Sequence, residues 1–300
     1  MAIVTGMLVL GFSDNFIYLV AERMSVWQYH AVRAALVLPV MAAVMAVLGM
    51  GRSLWPKRPA AVLMRSVFSI SALLLYFSAI PAVSVSLAAA GLFTSPIFVT
   101  LISILAFGER IGPRRIAGLV VGFAGVCLVL QIGTEPLRAM AIAPMIGGAL
   151  YALNIIWTRR YCQQETAGAL AFWNMSVFCA AGLAGMLATP WLAGLVGHLD
   201  GADFAVMPVQ AMDLEALAII ACLGVAAGLG MVLLAIGYRG AESTYAALFD
   251  FSFLFWVPLF AWFIHGETLT WTVTIGMILI VLAGILALSG ARRAGDAASA

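Results

Sequence analysis

Two stretches of the sequence resemble each other: residues 79–111 are AIPAVSVSLAAAGLFTSPIFVTLISILAFGERI, and residues 235–269 are AIGYRGAESTYAALFDFSFLFWVPLFAWFIHGETL. Each apolar run ends in a Gly-Glu pair, at 108–109 in the first copy and at 266–267 in the second, 158 positions apart. A shared run of this length with the same terminal pair predicts an internal duplication of the chain.

Shorter matches extend the duplication in both directions. Gly118 corresponds to Gly276 with the same spacing of 158, and the residues Asn-Phe-Ile-Tyr at 15–18 correspond to Asn-Ile-Ile-Trp at 154–157, 139 positions apart. The difference of 19 positions is close to the length of the polar loop at 190–212. The second half is therefore predicted to be the first half plus one loop insertion.

The composition places the chain in a membrane. Of its 300 residues, 64% are hydrophobic and only 9% are charged, whereas a soluble domain carries about a quarter charged residues. A net charge of +2 also disfavours disorder and nucleic-acid binding. The expected fold class is therefore an all-α integral membrane protein.

Ten apolar segments are long enough to be predicted as transmembrane helices. They cover residues 2–20, 26–49, 60–80, 83–107, 115–132, 139–158, 167–189, 213–236, 243–264 and 270–289. The N-terminal segment lacks a basic region and a small-residue cleavage site, so we interpret it as the first helix and not as a signal peptide.

Basic residues predict the orientation of these helices. With both termini in the cytoplasm, only Arg23 and Arg138 fall in outside loops, and Arg33 falls within the second segment. The twelve on the inside are Arg52, Lys57, Arg58, Arg65, Arg110, Arg114, Arg115, Arg159, Arg160, Arg239, Arg292 and Arg293. This asymmetry follows the positive-inside rule.

Five helices per copy is an odd number, so two copies in one chain must have opposite orientations in the membrane. We predict a first five-helix repeat at 1–134, a second at 135–290 that includes the outside loop, and a cytoplasmic tail at 291–300. Inverted repeats are typical of alternating-access carriers, which bind substrate near the membrane midplane between the repeats.

Ten helices, two inverted repeats and the two Gly-Glu turns resemble the EamA-type drug/metabolite transporter superfamily, over nearly the whole chain. Within it, the aromatic amino-acid exporter group is most similar in length and helix layout. The resemblance implies that helices 1, 3, 4, 6, 8 and 9 surround a central cavity, with helices 5 and 10 further out. It also implies a small-molecule substrate and a multi-pass location in the cell inner membrane.

Ionisable residues within the hydrocarbon are costly and are candidates for function. Asp14 in helix 1 and Arg33 in helix 2 lie at similar depths, which favours either an ion pair that joins the two helices or a role in substrate or proton binding. Asp250 lies in helix 9 without a basic residue at its depth. It could bind a substrate amine or carry a proton, or it could be a protonated acid bonded to a neighbouring helix.

Polar amides and aromatic rings complete the candidate binding site. Asn15 and Asn154 occupy equivalent positions in helices 1 and 6, and amides inside spans either join helices or line a wet cavity. Rings suit aromatic solutes and organic cations, although any one ring could instead serve core packing. The candidate rings on helices that the resemblance places around the cavity are Tyr18, Tyr76, Phe77, Phe93, Tyr151, Trp157, Tyr245, Phe249 and Phe253.

Proline and histidine give two further expectations. Pro96 and Pro258 lie in the matched helices 4 and 9, where proline bends a helix and could provide a hinge. His30, His198 and His265 fall at or beyond the predicted outer boundary, so we expect wet surface groups and no metal site. Neither a nucleotide-binding loop nor a hydrolase motif occurs, and no cofactor is expected.

The sequence therefore favours a secondary carrier that exports amino acids, aromatic ones first, or related metabolites. Export of other metabolites or cationic drugs, a channel and a membrane scaffold remain as alternatives, whereas an enzyme lacks a visible constellation of catalytic groups. Uniport and proton exchange are both compatible with the sequence, which does not indicate an oligomeric state.

Overall fold

The computed structural model describes residues 2–47, 51–83, 85–108, 113–129, 139–198, 202–240, 252–266 and 270–298, and all of their regular structure is helical. The α-helices are α1 (Ala2–Asp14), α2 (Ile17–Ala21), α3 (Val26–Val47), α4 (Pro59–Ala79), α5 (Val85–Leu92), α6 (Ser95–Phe107), α7 (Pro113–Val129), α8 (Ala139–Tyr161), α9 (Ala167–Val196), α10 (Asp203–Val206), α11 (Leu214–Gly240), α12 (Phe253–His265) and α13 (Trp271–Ala298). The predicted all-α class is confirmed.

The helices suit a lipid environment. Five stretches of the described chain are long and apolar enough to cross a membrane by length and composition: Ala2–Ala21, Val26–Val47, Pro59–Ala79, Leu87–Ala106 and Ala167–Leu195. Large apolar side chains such as Leu105, Leu187 and Phe263 are turned outwards. Such side chains are expected to face lipid in a membrane bundle.

The predicted first segment is two helices, with a break between Asp14 and Ile17. The Asn15 side chain explains the break, because its Nδ2 donates a hydrogen bond to the carbonyl oxygen of Gly11 at 2.7 Å. Asparagine competes in this way with the backbone hydrogen bonds of a helix. The break places a polar side chain within an apolar span.

The predicted fourth segment is also two helices, α5 and α6. The Thr94 hydroxyl donates to the carbonyl oxygen of Gly91 at 2.7 Å, and Pro96 is the second residue of α6. Proline has no N–H to donate and clashes with the carbonyl four residues earlier, which here belongs to the last residue of α5. Pro96 thus stands at a helix start, whereas Pro258 lies inside α12 as expected.

The two glycines of the Gly-Glu turns share an unusual backbone conformation. Gly108 has φ +63° and Gly266 has φ +65°, in the left-handed region that favours glycine. Each follows the end of a helix, and the Gly266 N–H donates back to the Trp262 carbonyl as in a helix C-cap. The glutamates that follow them lie outside the described residues.

The packing of helices is specific. Three pairs pack against each other: α7 with α13, α3 with α9, and α5 with α12. α4 contacts α8 and α9, and α11 contacts α1 and α3. α8 also contacts α5 and α6, and α1 also contacts α12. The largest buried cluster lies where α1 to α5 meet α11, α12 and α13. The elements that carry most of the candidate site residues therefore meet in the core.

The long loop after α9 is shorter than predicted and packs on the bundle. α9 continues to Val196, seven residues past the predicted end, because its sequence stays apolar and helix-compatible to that point. Trp27 Nε1 donates to the Ala205 carbonyl at 2.8 Å. Gln28 exchanges two hydrogen bonds with the backbone of Gln210, at 2.7 and 3.0 Å. The loop is thereby fixed to the start of α3.

Candidate functional site

Asp14 is the last residue of α1 and faces α4. Its Oδ2 accepts a hydrogen bond from the Tyr76 hydroxyl at 2.9 Å, and Tyr76 is fully buried. A carboxylate at a helix break within an apolar bundle requires such a donor, because an unpaired charge there costs several kcal/mol. The structure therefore joins Asp14 to α4.

Arg33 lies on α3 with only 6% of its surface exposed. Its guanidinium carbon lies 5.1 Å from the ring centre of Tyr29, 5.7 Å from that of Phe77 and 5.5 Å from that of Phe178. Its Nη1 donates to the Tyr29 hydroxyl at 3.3 Å. Three aromatic rings thus surround the cation, and cation–π attraction stabilises it there.

The structure differs from the expected direct ion pair between Asp14 and Arg33. In the described part of the chain, the ion pairs join Arg23 to Asp213 and Glu215, and Asp14 and Arg33 act on each other only through space. The physical reason is rotation about the helix axes: Asp14 turns towards Tyr76, and Arg33 turns towards rings of α3, α4 and α9. Asp14 and Arg33 therefore form no direct ion pair with each other.

His30 is the functional candidate that the sequence reasoning missed. It was expected to be a wet surface group, but it is 0% exposed, and neither ring nitrogen has a hydrogen-bond partner. Its ring stacks on Phe178 with centroids 4.6 Å apart and lies 4.9 Å from Phe77. The available signal was its spacing of three from Arg33, which places both on one face of α3.

Asn15 joins α1 to α12 at the helix break. It is 0% exposed, and its Nδ2 also donates to the Val257 carbonyl at 3.2 Å, while His265 Nε2 donates to its backbone carbonyl at 2.6 Å. Its Oδ1 is buried without a partner, as is that of Asn154. Orphaned buried acceptors in a folded protein call for an explanation, such as a bound ligand or water.

The candidate rings divide into groups. Tyr76 and Phe77 lie beside Asp14 and Arg33, and Tyr18 packs edge-on against His265 at 5.0 Å. Phe93, at the α5–α6 junction, stacks on Phe253 of α12 with centroids 5.4 Å apart. Among the predicted site residues, those that are buried include Asn15, Arg33, Tyr76, Phe77 and Phe253, and Asp14 is half-buried.

Other candidates lie elsewhere. Trp157 donates from Nε1 to the Ala61 carbonyl at 3.1 Å and packs on Phe68, so it joins α8 to the first turns of α4. Tyr151 is half-buried on α8. Tyr245, Phe249 and Asp250 lie outside the described residues. Among the residues that the structure describes, no cluster of three His, Cys, Asp or Glu could hold a metal ion.

Gly224 and Gly228 of α11 are four residues apart, a spacing that permits close approach of helices in membrane bundles. Gly224 lies against Val37 and Arg33 of α3, but Gly228 has open space around it. The tightest glycine contacts of α7 involve Gly122 and Gly125, which face α13. A spacing of four residues therefore did not identify the contact face.

Sequence comparison finds that this chain is similar to proteins named transporters. Residues 1–131 match the EamA-like transporter family. The chain is 26% identical to a riboflavin transporter of Rhizobium johnstonii over 210 residues, which are 70% of this chain and 64% of that protein. It is 26% identical to an uncharacterized transporter of Archaeoglobus fulgidus over 222 residues, 74% of this chain and 73% of that protein.

A third transporter and a solved structure extend the comparison. An uncharacterized transporter of Helicobacter pylori is 25% identical over 72% of this chain and 68% of its own length. A crystal structure aligns with a TM-score of 0.62 and 17% identity, covering 97% of this chain and 96% of that one, and shows the shared fold. Together with the apolar helices, these likenesses support a membrane transporter of small metabolites, while similarity to the aromatic amino-acid exporters stays a prediction.

Proposed function

We propose that the chain is a secondary transporter that exports small ring-bearing metabolites, aromatic amino acids first, across the inner membrane by alternating access. Ten transmembrane helices would form two inverted repeats, 1–134 and 135–290, with both termini and the tail 291–300 in the cytoplasm. The family match over residues 1–131 and the relatives named transporters support the transport function.

The pattern of helix pairing carries this proposal. If the repeats are exchanged, α1 corresponds to α8, α3 to α9, α4 to α11, α5–α6 to α12 and α7 to α13. The main contacts between the two halves then have counterparts: α4–α8 becomes α11–α1, α4–α9 becomes α11–α3, and α5–α8 becomes α12–α1. The pairs α3–α9, α5–α12 and α7–α13 map onto themselves. A two-fold arrangement of this kind suits a carrier that rocks between two openings.

The repeated glycine conformation supports the same arrangement. Gly108 and Gly266 are 158 positions apart, follow corresponding helices and share a φ near +64° within one degree. A chance resemblance of apolar helices would not be expected to repeat a backbone conformation that residues with side chains rarely adopt.

Buried polar groups among rings support a solute with both aromatic and polar character. Tyr76 and Phe77 lie between Asp14 and Arg33, and Phe93 stacks on Phe253 near the centre of the helix contacts. Rings bind a flat solute by stacking and edge contacts, while the polar groups fix its orientation. Aromatic amino acids have both features.

Riboflavin is the second candidate, because one relative is named a riboflavin transporter. A flavin is a flat ring system with hydrogen-bond donors. These donors could bind Asn15 Oδ1 and Asn154 Oδ1, which are buried without a hydrogen-bond partner. It lacks a carboxylate, so the two candidates place different demands on Arg33.

Counterflow in proteoliposomes tests the proposal. Vesicles with purified protein are preloaded with unlabelled phenylalanine, and the uptake of labelled phenylalanine or tryptophan is measured against empty vesicles. Riboflavin and a panel of amino acids serve as competitors, and parallel vesicles preloaded with unlabelled riboflavin measure the uptake of labelled riboflavin. We expect transient uptake of the aromatic amino acids. Uptake of riboflavin alone would select the second candidate, and no uptake of either solute would contradict the proposal of a ring-bearing substrate.

A further inference from the structure

The bundle holds two opposite charges at similar depth that do not meet. Arg33 lies seven residues after the start of α3 and Asp14 seven residues before the end of α2, which at about 1.5 Å per residue places both about 10 Å from the same side of the bundle. Each would be expected to seek a partner in an apolar medium. The described structure gives them none of opposite charge in direct contact.

The surroundings of Arg33 leave most of its donors available. A guanidinium carries five N–H donors, and in the described structure the hydrogen bond of Arg33 goes to the Tyr29 hydroxyl. The ring faces of Phe77 and Phe178 bind the cation without using its N–H groups. The guanidinium is thus held in place by rings while its planar edge stays open to an acceptor.

His30 adds a second set of unused polar atoms on the same face of α3. Both of its nitrogens are buried and lack a partner, although burial of an unsatisfied polar group is unfavourable. Its stacking on Phe178 holds the ring beside the Arg33 cage. A neutral imidazole has one N–H, which could donate to the same acceptor as Arg33.

Asp14 offers the opposite chemistry one helix away. Its Oδ2 accepts from Tyr76, and the residues described here place no donor on Oδ1. Tyr76, which binds Asp14, packs edge-on against Phe77 with ring centroids 4.9 Å apart, and Phe77 lies beside the Arg33 guanidinium. Neighbouring rings of α4 therefore link an available acceptor at Asp14 to available donors at Arg33.

We propose that Arg33 and His30 bind the carboxylate of the substrate and that Asp14 with Tyr76 binds its ammonium group, so that the site selects zwitterionic amino acids. This inference rests on the proposed function and names the substrate class of that transporter. The charge-assisted hydrogen bonds that a guanidinium gives a carboxylate are among the strongest in proteins. Tyr29, Phe77 and Phe178 would serve as the rigid apolar wall of the subsite.

The wild-type protein tests the inference without any substitution. Counterflow of labelled phenylalanine is measured with four competitors: phenylalanine, phenylalaninamide, phenethylamine and 3-phenylpropionate. The amide and the amine lack the carboxylate, and the propionate lacks the ammonium group. We expect each analogue to compete at least about tenfold more weakly than phenylalanine, because each leaves one buried charge unpaired.

His30→Phe tests the histidine separately from the fold. Phenylalanine keeps an aromatic ring to stack on Phe178 and removes the two unpartnered nitrogens. We expect the apparent affinity for phenylalanine to fall severalfold while that for phenethylamine stays the same. Arg33→Gln should bring the competition ratio of phenylalanine to its amide close to one, and Arg33→Lys, which keeps the charge, should retain part of the preference.

Arg65→Gln is the matched control. Arg65 is a half-buried arginine of α4, and its donors bind the Thr158 hydroxyl at 3.1 Å and the Leu170 carbonyl at 3.2 Å. Its replacement should leave the ratio of phenylalanine to amide unchanged, even if stability falls. A merely structural role for Arg33 would lower the amount of folded protein and would not alter this ratio.

The outcomes separate this inference from the proposed function. Wild-type protein that carries phenylalanine and its amide equally well overturns the zwitterion site and leaves the transporter intact. Transport of riboflavin without any amino acid overturns both the amino-acid substrate and this site. If Arg33→Gln and His30→Phe both keep the wild-type preference for the carboxylate, the assignment to these two residues is wrong.

Discussion

At the scale of single residues, we expect the hydrogen bond from Tyr76 to Asp14 to contribute most to the free energy of unfolding. It joins the broken end of α1 to α4, where Tyr76 is fully buried and Asp14 is half-buried. Removing one partner of a buried pair leaves the other with its desolvation cost, which is more damaging than removing both.

Tyr76→Phe should therefore lower the free energy of unfolding by about 1–3 kcal/mol, because the Asp14 oxygen loses its donor. Thermal unfolding in detergent, followed by the amount of monodisperse protein after heating, measures the loss. Tyr161→Phe, which removes a hydroxyl from an exposed tyrosine at the end of α8, is the control. Equal melting temperatures for both variants would contradict a stabilising Tyr76–Asp14 bond. The double variant Tyr76→Phe/Asp14→Asn should lose less than the sum of the single changes.

Cys162 gives a pH-dependent prediction outside the membrane spans. Burial in the turn after α8 raises the pKa of this thiol, and this effect outweighs the positive charge of Arg65, which lowers the pKa. Since the thiolate is the form that reacts, native protein should react with maleimide slowly at neutral pH and faster only as the pH rises above the range of an ordinary thiol. A Cys162-only variant, compared in its native form and in denaturing detergent, allows the measurement. Equal rates in the two forms near pH 7 would show that the turn is open.

At the scale of elements, α8 crosses α4 and α5 with close backbone contact. A Cβ on Gly147 would lie 2.8 Å from the Ala72 carbonyl oxygen of α4, and one on Gly148 would lie 2.9 Å from the Gly91 carbonyl oxygen of α5 and touch the Thr94 side chain. Glycine is required here because two backbones meet, a recurring device in membrane bundles.

Gly147→Ala should therefore lower the free energy of unfolding by about 1–3 kcal/mol, because α4 and α8 must move apart. Gly228→Ala on α11 is the matched control, since nothing lies within 4 Å of its added Cβ and alanine favours helix by up to about 1 kcal/mol. Thermal stability in detergent compares the two variants. The crossing would be looser than described if Gly147→Ala were as stable as Gly228→Ala.

Two loop contacts occupy corresponding places in the proposed repeats. Arg23, after α2, binds Glu215 at 2.8 Å near the start of α11, and this hydrogen bond raises the pKa of Arg23 above its usual value. Glu165, after α8, accepts from the backbone N–H groups of Lys57 and Arg58 at 2.9 and 2.7 Å, just before α4. In each case, the loop between the first and second helices of one proposed repeat contacts the start of the third helix of the other.

The two contacts should differ in strength. The Arg23 contact is a surface ion pair, so Arg23→Gln should cost less than about 1 kcal/mol. Glu165→Gln should cost about 1 kcal/mol or more, because the carboxylate accepts two charge-assisted hydrogen bonds at the positive end of α4. Parallel thermal unfolding of both variants in low and high salt measures the difference. A larger loss for Arg23→Gln, or the same salt dependence for both, would contradict this order.

At the scale of the whole molecule, the charge distribution predicts the orientation in the membrane. With both termini inside, the loop that contains Val209 is outside and the tail is inside. In a background without native cysteines, Val209→Cys should react with a membrane-impermeant maleimide in intact cells, and Ala300→Cys should react only after the membrane is permeabilised. The reverse pattern would invert the orientation, and labelling of both in intact cells would require an even number of spans between the two positions.

The helix content could be anticipated because it depends on short-range properties. Apolar runs set the helices, and most helix bounds lie within a few residues of the predicted ones. Two predicted segments are each two helices, and α9 and α13 extend seven and nine residues past their predicted ends. The breaks at Asn15 and at Thr94 to Pro96 had local signals, an asparagine and a proline, but such residues also occur within unbroken helices, as Pro258 does in α12. Whether a helix breaks is decided by neighbours that accept or supply the released hydrogen bonds.

What the sequence determined by itself is the class of molecule: a low charge that excludes a water-soluble surface, apolar segments that must be helical in lipid, and basic residues sorted to one side. What only the tertiary structure decided is which side chains meet. Asp14 and Arg33 have matching depths, yet they turn to different partners, and His30 is enclosed by rings of three helices. Depth follows from position along the chain, whereas contact depends on the rotation of each helix against its neighbours, which is fixed only when the whole bundle is packed.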